Sequence, residues 1–125
     1  MKLIIYLLPL YFWFSPISSI KDGPDTTIVK KGIASYYASF FEGRTTTSGE
    51  VYKHKKFTAA HMTLPFGTKV TVTNIANGKS VKVRINDRGP HTKRFIIDLS
   101  QSAAKEIGIY ENGIGKVEMK YKLDN

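Results

Sequence analysis

The 125-residue chain contains no cysteine. This absence excludes disulfides, thiolate nucleophiles, iron–sulfur clusters and cysteine-ligated zinc. Acidic residues are scarce: 10 Asp plus Glu stand against 19 Lys plus Arg, a formal net charge of +9. Such a charge favours an anionic partner, and nucleic acid, anionic lipid and acidic polysaccharide all satisfy it. The length allows one domain and excludes a two-domain cofactor enzyme.

Long hydrophobic runs are also missing, except at the N-terminus. Met1-Lys2 is a short basic start, residues 3–14 are uncharged and largely apolar, and a serine-rich stretch follows. This order is typical of a secretory signal, and the run is shorter than the roughly 20 apolar residues of a membrane-spanning helix. We therefore predict a signal peptide over 1–19, a short linker over 20–31 and one domain over 32–123. The protein is then exported to the periplasm or cell envelope, an uncleaved N-terminal anchor being the alternative.

Downstream, short strands are the main predicted elements. Asn77-Gly78 is a strong hairpin turn signal, and Ser100 can N-cap a short helix over 101–107. Several segments have strand-like composition or alternate apolar and polar residues: 32–37, 57–61, 69–74, 80–85, 94–98 and 116–123. Of these, 57–61 is equally consistent with a turn. The pattern predicts a mainly β fold, a closed or nearly closed β-barrel.

Several kinds of functional site lack their sequence signals. His54, His61 and His91 are the only imidazoles, and their separations of 7 and 30 residues match no common metal motif. The chain has neither a GxSxG nucleophile elbow nor the clustered glycines of a phosphate loop. The densest basic run, 53–56, could contact nucleic acid, but export argues against that partner. We predict no metal, no cofactor and no nucleic acid.

Two acidic residues are candidates for catalysis. Glu50 ends a polar loop, and Asp87 follows a predicted strand within Asn86-Asp-Arg-Gly-Pro90. Cleavage of a glycosidic bond needs a proton donor, usually beside a second carboxyl group, and the donor needs a raised pKa to work near neutral pH. The alternative is that Glu50 is an exposed loop acid, while Asp87 is a turn residue that pairs with Arg88. Spacing alone leaves both interpretations open.

A series of short motifs covers residues 32 to about 109. In chain order the motifs are Gly32-Ile-Ala-Ser-Tyr-Tyr37, Gly43-Arg44, Thr47-Ser-Gly-Glu50, Ala59-Ala-His61, Leu64-Pro-Phe-Gly67, Val72-Thr-Asn74, Asn77-Gly78, Asn86-Asp-Arg-Gly-Pro90 and Ile97-Asp-Leu-Ser100. Together they resemble the rare lipoprotein A (RlpA) family. The resemblance implies a six-stranded double-psi β-barrel with one or two short helices. It also implies an endolytic lytic transglycosylase that cuts the MurNAc–GlcNAc β-1,4 bond of peptide-poor peptidoglycan strands and leaves 1,6-anhydro ends.

The resemblance also assigns roles to residues. Asp87 would be the general acid and later the base, Glu50 the second acidic residue, and His61 a histidine lining the cleft, with a structural histidine as the alternative. Four further positions are expected to bind substrate: Tyr37, Ser48, Asn86 and Arg88. The alternatives are a core aromatic for Tyr37 and a surface ion pair for Arg88.

The chain also departs from the family pattern. Family members are commonly lipoproteins with a cysteine after the signal, so its absence predicts no lipid anchor. Many carry a C-terminal SPOR domain, which is not expected here. His91 and Lys93 suggest a different loop after Pro90. We expect a monomer whose partner is the peptidoglycan glycan strand. The alternative function is a non-catalytic, expansin-like module that binds or loosens cell-wall glycan.

Overall fold

The computed structural model describes residues 2–4, 9 and 26–123. The predicted signal peptide lies almost wholly outside the described residues. The strands are β1 (Thr27–Tyr36), β2 (Thr58–Ala60), β3 (Lys69–Asn74), β4 (Ser80–Asp87), β5 (Ile97–Leu99) and β6 (Gly115–Lys122), accompanied by the helix α1 (Gln101–Glu106) and a 3₁₀ turn at Ser39–Phe41. Across these described ranges, no helix has the length and apolar character needed to cross a membrane.

The six strands close into a barrel in the order β1-β5-β2-β4-β3-β6, with β6 returning to β1. The β1–β5 and β2–β4 pairs are parallel, and the other pairs are antiparallel. This arrangement confirms the prediction of a mainly β, closed barrel. Because closure leaves no free sheet edge, the barrel needs no disulfide to complete its hydrogen bonding.

The alternation along the strands fills the barrel interior. On β3 and β4 the inward side chains are fully or almost fully buried, whereas Lys69 and Lys82 point outward, as the sequence predicts. The helix α1 adds Ala103 and Ala104 to the core, and the Ser100 side chain accepts a hydrogen bond from the Ala103 N–H at its start. The main core consists of apolar residues from every strand and from α1.

Some predicted boundaries were wrong. Residues 27–31, assigned to the linker, form the first half of β1, because this polar segment pairs with β6 from Thr27 to Ala34 and so satisfies its backbone. The strand predicted at 94–98 is confined to Ile97–Leu99, since Arg94 lies in a turn. In the other direction, β4 continues two residues beyond the predicted 85, as far as Asp87.

Leu99 tests the importance of core packing. It is fully buried and lies in register with Tyr36 on β1 and Ala59 on β2. We expect Leu99→Ala to lower the free energy of unfolding by about 2–5 kcal/mol. The site is enclosed on all sides, so the substitution leaves a cavity that solvent cannot fill. Urea unfolding measures the change. Ile75→Ala, at a position 51% exposed, is the control and should cost less than about 1 kcal/mol. Equal losses in the two variants would contradict this account of the core.

Candidate active site

Two carboxylates flank the short strand β2. Ala60 lies in register with Asp87 on one side and with Asp98 on the other. With strands about 4.8 Å apart, the backbones of these aspartates are separated by about 10 Å. Between Ala59 and Ala60 the register shifts, so that β4 advances from Ile85 to Asp87 while β2 advances one residue. Such bulges re-aim side chains, and this one lies directly before Asp87.

Three groups donate hydrogen bonds to the Asp87 carboxylate. The Tyr37 hydroxyl donates to Oδ2 at 2.6 Å. The backbone N–H groups of Thr47 and Arg88 both donate to Oδ1 at 2.9 Å. Burial raises the pKa of Asp87, but the hydrogen bonds, that from Tyr37 first, outweigh burial and leave the pKa below its ordinary value. In the free protein, therefore, Asp87 is a carboxylate at neutral pH.

Asp98 is an acidic residue to which sequence reasoning assigned no role. Its Oδ1 accepts a hydrogen bond from the Ser35 hydroxyl. Burial is the main reason that the pKa of Asp98 is raised, and the negative charge of Asp87 adds to the effect. The sequence signal for Asp98 was its place as an acidic residue within the motif Ile97-Asp-Leu-Ser100. Its position two strands from Asp87 follows only from the barrel topology.

Glu50 lies beside the strand that carries Asp87. Arg84 donates from Nη1 to Oε1 at 2.7 Å and from Nη2 to Oε2 at 2.8 Å, and Asn86 Nδ2 donates to Oε2 at 3.1 Å. These bonds, those from Arg84 first, lower the pKa of Glu50 to about 2. Glu50 is therefore an anion in the free protein at neutral pH.

The predicted substrate-binding residues Ser48 and Asn86 hold the loop that carries Glu50. Ser48 Oγ lies 2.9 Å from Thr46 Oγ1 and accepts a hydrogen bond from the Glu50 N–H at 3.3 Å. Asn86 is only 2% exposed, because this loop covers it. Its Oδ1 is buried and has no hydrogen-bond partner among the described residues. Both side chains therefore position Glu50, and the buried Asn86 has little surface to offer a sugar.

His61 follows β2 and has a defined tautomer. Its Nδ1 accepts hydrogen bonds from the N–H groups of Thr63 at 3.1 Å and Leu64 at 3.0 Å. Because both partners are donors, Nδ1 carries no proton and Nε2 carries the hydrogen. Burial, with the charges of Arg88 and Lys30, lowers the pKa of His61. The ring is thus neutral and half-buried, and its Nε2–H is available as a donor at the site.

Tyr37 and Arg88 both make contacts within the site. Tyr37 is buried and stacked on Tyr52 with ring centroids 4.1 Å apart, and its hydroxyl donates to Asp87. Burial comes first among the causes that raise its pKa, so this hydroxyl keeps its proton and donates. Arg88 donates from Nη1 to the carbonyls of His61 and Leu64. Both residues therefore position other parts of the site, and contact of either side chain with sugar stays a prediction.

A buried network behind Asp87 was not foreseen. Gln101, at the start of α1, donates from Nε2 to the Tyr37 carbonyl and from its backbone N–H to the Tyr52 hydroxyl. The Tyr52 hydroxyl also lies 2.8 Å from His54 Nδ1. The helix thus fixes the tyrosine that holds Asp87. No local sequence pattern indicates these contacts, because they join residues up to 64 positions apart.

Fold and site define a small closed β-barrel with acidic side chains on both sides of β2. In the described residues, no cluster of three or more His, Asp or Glu could hold a metal ion. Among solved structures, the barrel is similar to the Streptomyces papain inhibitor, with a TM-score of 0.62 and 23% identity over 77% of this chain and 96% of that one. It is also similar to a Clavibacter michiganensis expansin variant crystallised with cellohexaose, with a TM-score of 0.63 and 19% identity over 78% of this chain and 52% of that one. At these identities the likeness establishes the double-psi barrel fold alone.

Sequence comparison identifies the family. Residues 29–119 match the family model described as lytic transglycolase. The chain is 54% identical to the endolytic peptidoglycan transglycosylase RlpA of Haemophilus influenzae over 74% of its length, and 47% identical to the probable RlpA of Synechocystis over 92%. It spans 32% and 36% of those relatives, about a third of their length. The chain belongs to the RlpA family, as its motifs indicate.

The low pKa of Glu50 predicts a pH-dependent contribution to stability. Because the pKa is about 2 in the folded protein against an ordinary 4.5, the contribution is complete above pH 4.5 and is lost as the pH falls towards 2. We expect Glu50→Gln to lower the melting temperature by about 1–5 °C at pH 7, a modest effect because the pair is solvent-exposed. Thermal melts from pH 7 to pH 2 should show this difference shrinking to zero. Glu106→Gln, an exposed helix position, is the matched control, and an equal pH dependence there would refute the assignment.

The hydrogen bond from Tyr37 makes a second prediction. Tyr37→Phe keeps the stacked ring but removes the donor to Asp87 Oδ2, so the pKa of Asp87 should rise. Titration of the side-chain carboxyl by NMR measures it directly. Tyr36→Phe removes a neighbouring hydroxyl that donates to the Tyr110 carbonyl and should leave Asp87 unchanged. An unaltered Asp87 titration in Tyr37→Phe would show that this bond does not hold the carboxylate.

Proposed function

We propose that this domain is an endolytic lytic transglycosylase of peptidoglycan. It would cut the MurNAc–GlcNAc β-1,4 bond, with peptide-poor glycan strands as the preferred substrate, and leave 1,6-anhydro-MurNAc ends. Membership of the RlpA family supports the reaction class. The observation that carries the proposal is the placement of Asp87, held by donors from three residues, two strands away from a second half-buried aspartate, Asp98. Export to the periplasm or cell envelope by the 1–19 signal is part of the proposal.

The reaction moves two protons. One is transferred to the glycosidic oxygen as the bond from the muramyl anomeric carbon to that oxygen breaks. The C6 hydroxyl of the same muramyl residue then attacks the anomeric carbon and loses its own proton, so that no water is consumed. A single carboxyl group can donate the first proton and accept the second. Glu50 cannot begin this cycle, since Arg84 keeps its pKa at about 2.

Asp87 is suited to the cycle only if it gains a proton when substrate binds. In the free protein its hydrogen bonds keep it ionised. A glycan strand lying over the site would exclude water and weaken the solvation of two neighbouring negative charges, those of Asp87 and Asp98. Asp87 would then take up one proton, because the neighbouring negative charge raises its pKa once water no longer screens the two groups. That proton would protonate the leaving oxygen, and the resulting carboxylate would accept the proton of the C6 hydroxyl.

Glu50 and His61 have supporting roles in this proposal. Glu50 remains an anion that Arg84 and Asn86 hold in place, and a fixed negative charge stabilises the positive charge that develops at the anomeric centre. His61 offers its Nε2–H to a sugar oxygen, because Nδ1 is committed to the backbone of its own loop. Neither residue needs to change its protonation state.

The test is digestion of amidase-stripped glycan strands, with the products analysed by mass spectrometry. Wild type should release anhydro ends, and Asp87→Asn should reduce the rate by about 10²–10⁴ because the proton carrier is lost. Asp98→Asn removes the charge that, in this proposal, raises the pKa of Asp87 in the complex, so the alkaline limb of the pH–rate profile should move to lower pH. Glu111→Gln, an exposed acid outside the site, should retain wild-type activity.

Three outcomes would overturn parts of this proposal. Full activity in Asp87→Asn would remove Asp87 as the proton carrier. Ends that carry an added water would make the protein a hydrolase. Binding of glycan without any new ends would favour the non-catalytic, expansin-like module.

A further inference from the structure

A second site lies on the outer wall of the barrel. It is a groove of about 700 Å³ between the ends of β3 and β6 and the loop at 65–68. Four lysines line it, and we call it the lysine groove: Lys69, Lys82, Lys120 and Lys122. Phe66, Tyr121 and Leu123 supply apolar wall. The motif Leu64-Pro-Phe-Gly67 supplies part of one wall, and the proposed reaction does not use this surface.

The strand register gathers the four lysines. Thr71 on β3 lies opposite Lys82 on β4 and Lys120 on β6, so one row across the sheet carries a lysine on each side of a threonine. Val70 lies opposite Tyr121, which places Lys69 beside Lys122 in the next row. Neighbouring strands are about 4.8 Å apart, so the four lysine side chains extend from three strands that together span about 10 Å.

None of the four lysines forms an ion pair within the described part of the chain. The ion pairs found there join Lys53 and His54 to Glu42, and Arg84 to Glu50. Lys69 lies beside Lys122, and like charges opposite each other on a sheet are destabilising. By contrast, the row adjoining the groove is mixed, with Lys31 on β1 opposite Glu118 on β6. The groove is therefore a local concentration of positive charge on the outer face of the sheet.

The groove adjoins the candidate active site. Lys69 lies opposite Arg84, the residue that binds Glu50. On the other side, the Arg88 guanidinium lies over the Phe66 ring at 4.0 Å, and Arg88 follows Asp87 directly. A polymer meshwork in contact with the active site could therefore reach the lysines without any change in the barrel.

We propose that the lysine groove binds the carboxylates of peptidoglycan stem peptides and so holds the protein on intact wall beside the strand it cuts. This proposal takes the identity of the polymer, peptidoglycan, from the proposed function. Lysine ammonium groups act as compact point charges that pair with carboxylates. A peptide-free strand offers one carboxylate per disaccharide, whereas each stem peptide offers several together. The four adjacent lysine ammonium groups match the higher density of carboxylates on a stem peptide.

The experiment compares two variants with equal charge change. The groove variant is Lys69→Gln, Lys82→Gln, Lys120→Gln and Lys122→Gln combined. The control is Lys31→Gln, Lys79→Gln, Lys105→Gln and Lys116→Gln combined, at exposed positions outside the groove. Both are made with Asp87→Asn, so that cleavage does not alter the target. Co-sedimentation with purified sacculi is measured from about 0.05 to 0.5 M NaCl, over which screening of exposed charges increases.

The groove variant should bind intact sacculi about tenfold or more weakly at low salt, with less salt dependence, while the control changes little. Sacculi stripped of stem peptides by amidase should bind the parent chain and the groove variant alike. The groove variant should also melt at the same temperature as the parent or higher, because like-charge contacts are relieved. This readout separates lost binding from misfolding.

Equal losses in both variants would mean that net charge alone acts, and would overturn the assignment. A groove effect that persists on stripped sacculi would place the carboxylates on the glycan instead of the stems. Stronger groove-dependent binding to anionic lipid vesicles than to sacculi would make the partner a membrane surface. Since binding is scored without cleavage, failure here is distinct from failure of the transglycosylase test, which uses peptide-free strands and the chain with Asp87 intact.

Discussion

The pairing of the three-residue strand β2 with β4 on one side and β5 on the other is the constraint on which the rest depends. It closes the barrel, and through Ala60 it fixes the separation of Asp87 and Asp98. The shift in register beside Ala60 also sets the position at which β4 turns Asp87 towards Tyr37 and Thr47. A strand made of one threonine and two alanines suits this place, because small side chains let the flanking strands bring their polar groups together.

The site separates its acids by environment. Glu50 is exposed but bound by a bidentate guanidinium, which lowers its pKa to about 2. Asp87 is partly buried and receives hydrogen bonds from three residues, so it is ionised in the free protein. Asp98 is more deeply placed, and its pKa is raised. Three carboxyl groups of similar intrinsic acidity thus have three different tendencies to take up a proton, and the difference comes from donors and burial.

Much of the fold could be read from local pattern. The alternation in β3, β4 and β6 and the Asn77-Gly78 turn made those strands predictable, because an apolar–polar period of two matches a half-buried strand and does not match a helix. The first half of β1 was not predictable. Its polar, lysine-containing sequence is typical of a linker, and its pairing with β6 cannot be seen from the local pattern. Motifs singled out Asp87, Glu50 and His61 as candidate site residues, and their roles stay predictions. The contacts that Tyr37 and Arg88 make could not be predicted locally, because they join residues far apart in sequence.

The sequence by itself determined the strands, the inward-facing core and the candidate site residues, because side-chain period, turn residues and short motifs act over a few positions along the chain. Only the tertiary structure decided how burial and hydrogen bonds shift the pKa of each carboxyl group, and where four lysines meet. Asp98 comes near Asp87, and Lys69 near Lys122, through strand pairings between segments far apart in sequence. A pKa or a charged groove depends on those distances and on burial, and neither quantity exists before the barrel closes.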